Sequence, residues 1–537
     1  MNLIFHKTAV LAVSCTLICS SVSLGQKVFL RSFKVGTVTA DSATYPPSNS
    51  ISHMTVDTSG GWASVWIGTG NGLARSVSAG RSWTDYGSNS AFADAGIFSI
   101  ASLENALVWS STGHDEDVGG GSTVQTGSGY AFSTNGGLTW KHLRQTMDSR
   151  GDSIIAYGIN DSLWILPVVV PEQNVTFDIA LTPTTVWTTS WAGGLRKSVD
   201  SGKTWERVLL PTDRQNSLSP TDTLWTYAQN DPAHLHRIFP RLDPRNNNNF
   251  LGFGVYAVDD DTIWCGTAGG INKSTDGGKS WVKFNHQNES NGILGNWVIS
   301  IKAQRLQGGL RIWTTNWKAV DNSEDFGVSF TDDGGLTWTD LLQGIRAYDF
   351  AFKDSICYIA TDNGIFRTPD GGRSSVNFSN FADPETHKVI LASPVYTCGV
   401  VNDTVIIGTG DGLARTIDNA QNPFGIRWEV DRTHGVLTSP ADSYAYPNPF
   451  SPASEEIRIH YKLPDPASHT VRIDLFDFGM NRIKSLINAT RSGSTDLDEL
   501  WNGQDDHQRT VANGVYFYRV QFDGGGSPLY GKIIVLQ

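Results

Sequence analysis

A chain of 537 residues exceeds one ordinary domain and is long enough for a large β-fold plus a second module. Its 55 Gly and 18 Trp suit short strands joined by tight turns, and apolar residues at helical spacing are hard to find. A net charge of −12, with Lys and Arg scattered, excludes a nucleic-acid partner, because phosphate binding needs clustered cations.

The chain opens on Lys7, an apolar run from Thr8 to Ile18 and the small residues Ser23-Leu24-Gly25, which predicts a signal peptide over residues 1–25 and a secreted or outer-surface protein. Beyond it no apolar run is long enough to span a membrane. Two of the five cysteines leave with that peptide. Cys265, Cys357 and Cys398 remain in strand-like contexts, as buried free thiols or with Cys357 and Cys398 bridged. No CxxC points to zinc, and no metal ligand set is expected.

Residues 26–438 carry an internal repeat. Ser274 to Trp281 reads STDGGKSW, and related octets end at Trp83, Trp140, Trp205 and Trp338. A sixth, TPDGGRSS, has lost its Trp to Ser375. A seventh starts at Thr416 and resumes, after an insertion, at Trp428. Around each octet the sequence lays out four short strands, as in VTFDIAL, TVWTTSW, LRKS and WERV. Four-stranded units repeated in this way predict a seven-bladed β-propeller, an all-β fold whose radial closure removes exposed edges.

Each octet falls at the hairpin between the third and fourth strands. Asp276 can accept hydrogen bonds from its own turn, Gly278 permits positive φ, and Trp281 packs beneath the neighbouring hairpin. Ser274 opens the motif, and Asp200, Trp205, Asp333 and Trp338 repeat it. The pattern S/T-x-D-x-G-x-x-W resembles the Asp-box (BNR) repeat of sialidases, xyloglucan-degrading glycosidases and sortilin-type receptors. That resemblance implies a structural turn on the face opposite the ligand site.

The opposite face holds the varied turns, and varied loops on a rigid scaffold are where binding usually resides. One expanded turn carries Asp115, Glu116 and Asp117, as solvated acidity or as calcium ligands. Another carries Trp317, Glu324 and Asp325. Trp191 and Trp317 both follow a strand Trp by four residues, which places both at this rim, to stack on a ligand or to wedge between blades. The long insertion Pro211 to Asn249 adds Trp225, His234 and His236. Aromatic rings beside carboxylates suit sugars, so the expected partner is a polysaccharide or an extracellular protein. The alternative is a glycoside hydrolase. Tyr358 to Gly364 resembles the Asp-bearing turn of the xyloglucanase family, which would make Asp362, and Asp411 in the next unit, the catalytic carboxylates, although Asp-Asn-Gly and Asp-Gly are also ordinary hairpin turns. Those enzymes build their cleft between two propellers, whereas this chain supplies one.

From about residue 439 the grammar changes. YPNPF precedes the alternating strands IRIHYKL and VRIDLFDF, the period-2 pattern of a sheet buried on one face. With Trp501-Asn502-Gly503-Gln504-Asp505, Asn513-Gly514-Val515-Tyr516 and a closing KIIVLQ, residues 439–537 resemble the Ig-like sorting module of type IX secretion. That resemblance implies a contact with secretion machinery.

Overall fold

The computed structural model describes residues 45–537 except 93–94, 120–121, 224–242, 320, 434–436, 438–441, 466, 493–495, 525–526 and 537. The expected signal peptide, and Trp225, His234 and His236, lie outside the described residues. Among those described, no helix is long and apolar enough to cross a membrane.

Seven four-stranded antiparallel sheets follow one another along the chain, blade 4 gaining a short fifth strand from the 211–249 insertion. Their innermost strands are Ile51–Asp57, Gly96–Leu103, Thr176–Leu181, Gly252–Ala257, Trp297–Leu306, Ala347–Lys353 and Val395–Val401. Each packs against the next, and the seventh against the first, so the ring closes as a seven-bladed propeller. Polar side chains reach from blade to blade near the axis. Asp178 accepts from Ser99 and from the Val255 N–H, Lys302 pairs with Asp349, and Asp349 accepts from Thr397. The second strands contribute buried Trp66, Trp109, Trp187, Trp264 and Trp313 between the sheets.

The octets supply the same turn in every blade. The opening hydroxyl accepts the N–H of the glycine four residues on: Ser76 from Gly80, Ser133 from Gly137, Ser198 from Gly202 and Ser274 from Gly278. Thr331, Thr368 and, across the insertion, Thr416 do the same for Gly335, Gly372 and Gly425. All seven of those glycines have positive φ. A Cβ on Gly278 would stand 2.8 Å from the Trp187 ring of the preceding blade, so the position also sets the spacing between blades.

Residues 443–535 form a sandwich of a three-stranded sheet (Ser443–Tyr446, Ile457–Lys462, Asp496–Trp501) and a four-stranded sheet (Arg482–Arg491, His469–Phe476, Gly514–Phe522, Leu529–Val535). Its core, including Phe450, Tyr461, Trp501 and Tyr518, comes from its own residues alone. Cys265, Cys357 and Cys398 are free and buried within the propeller, not bridged.

Candidate functional site

At the end of the blades away from the octets, the innermost strand begins and the second strand turns into the third. Every innermost strand carries a bulge there. Pairing with the second strand skips one residue, which is Ser52, Phe98, Phe177, Phe253, Ile299, Tyr348 or Tyr396 in blades 1 to 7. A bulge re-aims the extra side chain, and five of these seven are aromatic.

The turn opposite each bulge has its own register. The last paired residue of the second strand is Thr69, Ser190, Thr267, Thr361 or Thr409 in blades 1, 3, 4, 6 and 7. In four of these blades its hydroxyl binds the carbonyl of the glycine that opens the third strand. The next residue is Gly70, Trp191, Ala268, Asp362 or Gly410, and Trp317 follows the equivalent Asn316 in blade 5. Trp191, Trp317 and Asp362 therefore share one register position. Asp411 does not: it lies one residue further on, level with Asn363, so the expectation that it repeats Asp362 is corrected by the hairpin register.

The two sets of residues meet in an aromatic arc. Phe253 packs on Phe177, Trp191 and Trp297 at 5.9, 5.4 and 5.5 Å between ring centroids, and Trp191 meets Trp297 at 5.8 Å. Trp297 pairs across the strands with Trp317. Trp317 contacts Tyr348 at 5.7 Å, and Tyr348 contacts Tyr396 at 5.4 Å. The arc thus runs through blades 3 to 7. Phe177, Trp191, Trp297, Tyr348 and Tyr396 are half-buried, leaving ring surface open.

Trp317 is different. It is 3% exposed, and its indole N–H donates to the Ala347 carbonyl at 2.9 Å. The expectation of a ligand-facing ring is revised: Trp317 is a wedge between blades 5 and 6 that supports Tyr348. Glu324 is also buried. It accepts from the Asn296 and Ala319 backbone N–H groups and from the side chains of Asn296 and Gln287. With its acceptors committed, Glu324 organises the rim loops instead of facing a ligand. Asp325 accepts from the Phe326 N–H and is half-buried beside it.

Asp115, Glu116 and Asp117 sit on a long two-stranded arm, Leu107–Gly119 with Ser122–Ser133, and are exposed. Consecutive residues of a strand point to opposite faces, so the three carboxylates do not converge as a calcium cage would require. Among the described residues no group of three or more His, Cys, Asp or Glu side chains is placed to hold a metal.

Asp362 sits at the polar end of the arc. Its N–H donates to the Arg346 carbonyl, while its Oδ1 is buried with no hydrogen-bond partner. Burial raises the carboxyl above its ordinary range, and the Arg346 charge, with the backbone N–H groups of Asp362 and Arg346, opposes that only in part. Arg346 lies over the Phe326 and Trp317 rings at 4.6 and 5.5 Å. Tyr348 is raised to about 12 by burial, then by the charge of Asp362 and by Tyr396. Asp411 is tied down: it pairs with Arg432 and, through Oδ2, with Arg458 at 2.8 Å, and it also accepts the Leu391 N–H.

Sequence reading missed Phe177, Phe253, Trp297, Tyr348, Tyr396 and Arg346. The signal was present in the inner runs, where T-F-D, G-F-G, A-Y-D and V-Y-T each place an aromatic between smaller residues at the strand start.

No family model matches the sequence, and no curated protein matches it. Among solved structures, the chain is similar to YCF48 bound to D1 peptide, at 14% identity over 71% of this chain and 95% of that one, with a TM-score of 0.39. It is similar to PorZ, a bacterial surface component of the type-IX secretion system of Porphyromonas gingivalis, at 16% identity and a TM-score of 0.33. That match covers 88% of this chain and 64% of PorZ, so this chain spans less than two thirds of its length. The GH74 enzyme of Niastella koreensis shares 12% identity over 91% of this chain and 73% of that one, with a TM-score of 0.45. At these distances none of them carries a function to this chain.

Proposed function

We propose that this protein is exported and binds a glycan along the aromatic arc on the face away from its octets. The observation that supports this reading is the set of half-buried rings Phe177, Trp191, Trp297, Tyr348 and Tyr396, linked through the buried Phe253 and Trp317, with Phe177, Tyr348 and Tyr396 placed by the bulges of blades 3, 6 and 7. Sugar C–H faces stack on such rings, and Tyr348, Tyr396, Arg346 and Asp362 offer donors and acceptors at one end. Residues 1–25 would direct export, residues 26–438 would form the binding propeller, and residues 439–537 would engage secretion machinery or hold the protein at the surface.

One observation favours a second reading, a glycoside hydrolase. The half-buried Asp362 carboxyl, held above its usual range, has the direction of shift required of a general acid. That chemistry needs a second carboxylate about 5 to 10 Å away, and Asp411 is committed to two arginines.

A glycan array probed with the full mature chain, followed by assays for new reducing ends on every sugar bound, tests both. Binding without product supports the binding protein, and product supports the hydrolase. No binding to any glycan would sink both readings and leave an extracellular protein as the partner to pursue.

A further inference from the structure

Asp411 lies in the second-to-third-strand turn of blade 7, and its two oxygens serve different partners. Arg432, just beyond the last strand of the same blade, pairs with Oδ1, and its Nε donates to the Asp411 carbonyl at 2.7 Å. Arg458, from the sandwich strand Ile457–Lys462, pairs with Oδ2 at 2.8 Å and also donates to the Val389 carbonyl at 2.9 Å. Val389 belongs to the link between blades 6 and 7, which enters blade 7 on the same face. Arg432 then reaches the Tyr446 hydroxyl, which donates to Asp498, and Asp498 meets His460 at 2.8 Å.

The Arg432 and Arg458 side chains are 4% and 5% exposed, and both Asp498 and His460 are buried. Charges removed from water hold only while their partners stay in place, since a shift of a few ångströms leaves an uncompensated charge in a medium of low dielectric. A flexibly tethered module does not put two buried arginines, a buried Asp498 and a largely covered Asp411 into one junction.

We infer that the C-terminal sandwich is docked on the propeller, not tethered to it, with Asp411 as the shared anion that fixes the two at one angle. The surface of blade 7 between Asp411 and Val389 is a receptor for the chain's own module. Whatever holds the module therefore also sets the direction in which the propeller's open face points. This holds whether or not that face binds glycan.

Leu336 and Phe478 are 73% and 78% exposed, one on the propeller and one on the sandwich, and Cys265, Cys357 and Cys398, the cysteines among the described residues, are buried. Spin labels on Leu336→Cys and Phe478→Cys in the full chain report the distance between the two bodies. The parent should give one narrow distance distribution. Arg458→Gln, which leaves the Asp411–Arg432 pair inside the propeller, should broaden it while near-ultraviolet circular dichroism stays native, and Asp411→Asn should broaden it further. A broad distribution in the parent would overturn the inference with no variant needed. So would a narrow one that survives Asp411→Asn and Arg458→Gln together.

Discussion

Asp276 and Asp362 stand at opposite ends of their blades, each in a tight turn, and their oxygens live in opposite conditions. Those of Asp276 accept from the Ser274 hydroxyl, the Lys279 and Ser280 N–H groups and the Ser280 hydroxyl. Burial alone would raise its carboxyl, but these bonds outweigh it and the group is held below its ordinary range. Asp362 keeps a buried oxygen with no donor, and burial raises it. A satisfied polar group repeated in blade after blade is part of how the blades are made. A carboxylate oxygen without a donor, at a register position that carries Asp in blade 6 alone of the hairpins compared, is available to something else.

The largest effects should come from the satisfied end. Trp281 is 1% exposed and its indole N–H donates to the Gly278 carbonyl at 3.1 Å, so Trp281→Ala should cost about 3 to 5 kcal/mol, read as a lower midpoint in denaturant. Asp276→Ala removes turn bonds rather than core and should cost about 1 to 3 kcal/mol. Neither should alter affinity per folded molecule. The pH dependence separates the ends further. Asp333, the blade 5 counterpart of Asp276, is lowered to about 2, chiefly by the Thr337 hydroxyl. A carboxyl lowered in the folded state contributes stability above its unfolded pKa, near 3.9, and loses it as pH falls toward 2. Asp362 has the reverse sign. Its folded state holds the proton more tightly, so its ionisation opposes folding and the opposition vanishes as pH falls through the raised pKa. Asp276→Asn should flatten the acid limb of a stability–pH curve, whereas Asp362→Asn should remove a weak loss on the neutral side. Equal curves for the two variants would dissolve the contrast.

The middle of the range compares two tryptophans of one register. Trp317 is wedged and hydrogen-bonded, so Trp317→Ala should cost about 3 to 5 kcal/mol of stability, with any change in affinity following from the loss of support under Tyr348. Trp191 is half-buried on Phe253 and Trp297. Trp191→Ala should leave stability nearly intact and weaken glycan binding several-fold, since a stacked ring contributes on the order of 1 kcal/mol beyond area burial. Melting curves and titrations on the two variants decide the matter. If both lost stability alone, the arc would be packing and not a site.

What the sequence disclosed follows the same division. The propeller was legible because six octets write the same hydroxyl, glycine and, mostly, tryptophan at fixed spacing, with a seventh interrupted by an insertion, and a repeat unit cannot hide its period. The sandwich was legible from alternation in IRIHYKL and VRIDLFDF. Register at the other face was not. Asp362 and Asp411 look equivalent until the hairpin pairing shows one level with Gly410 and the other with Asn363. Bulges are harder still: the aromatics at the strand starts stand in the sequence, but the extra residue that re-aims them leaves no mark on composition. That is why Phe177, Phe253, Tyr348 and Tyr396 went unread. Glu324 looked like a ligand acid because it stands among rim residues, and only the fold shows that backbone N–H groups already occupy it.

The smallest structural change carries the sharpest functional question. Asp362→Asn keeps the shape of the turn, and the Asp362 N–H bond to the Arg346 carbonyl survives because it belongs to the backbone. Stability should change by less than about 1 kcal/mol and should rise if anything, because a half-buried, poorly solvated carboxylate is replaced by a neutral amide. Ligand response is where the readings part. If Asp362 is an acceptor in a binding site, its free Oδ1 takes a sugar hydroxyl. The amide can offer one oxygen in its place, so affinity should fall only a few-fold. The ligand would also favour the ionised form in the parent, so binding near the raised pKa should release a proton, and calorimetry in buffers of different ionisation enthalpy would detect it. If Asp362 is instead a general acid, the amide cannot give up a proton. Turnover should then fall by orders of magnitude while binding persists. Unchanged affinity, no proton release and no hydrolysis in either protein would make Asp362 a turn residue like Asp276, and the contrast between the two ends of the blades would have lost its chemical meaning.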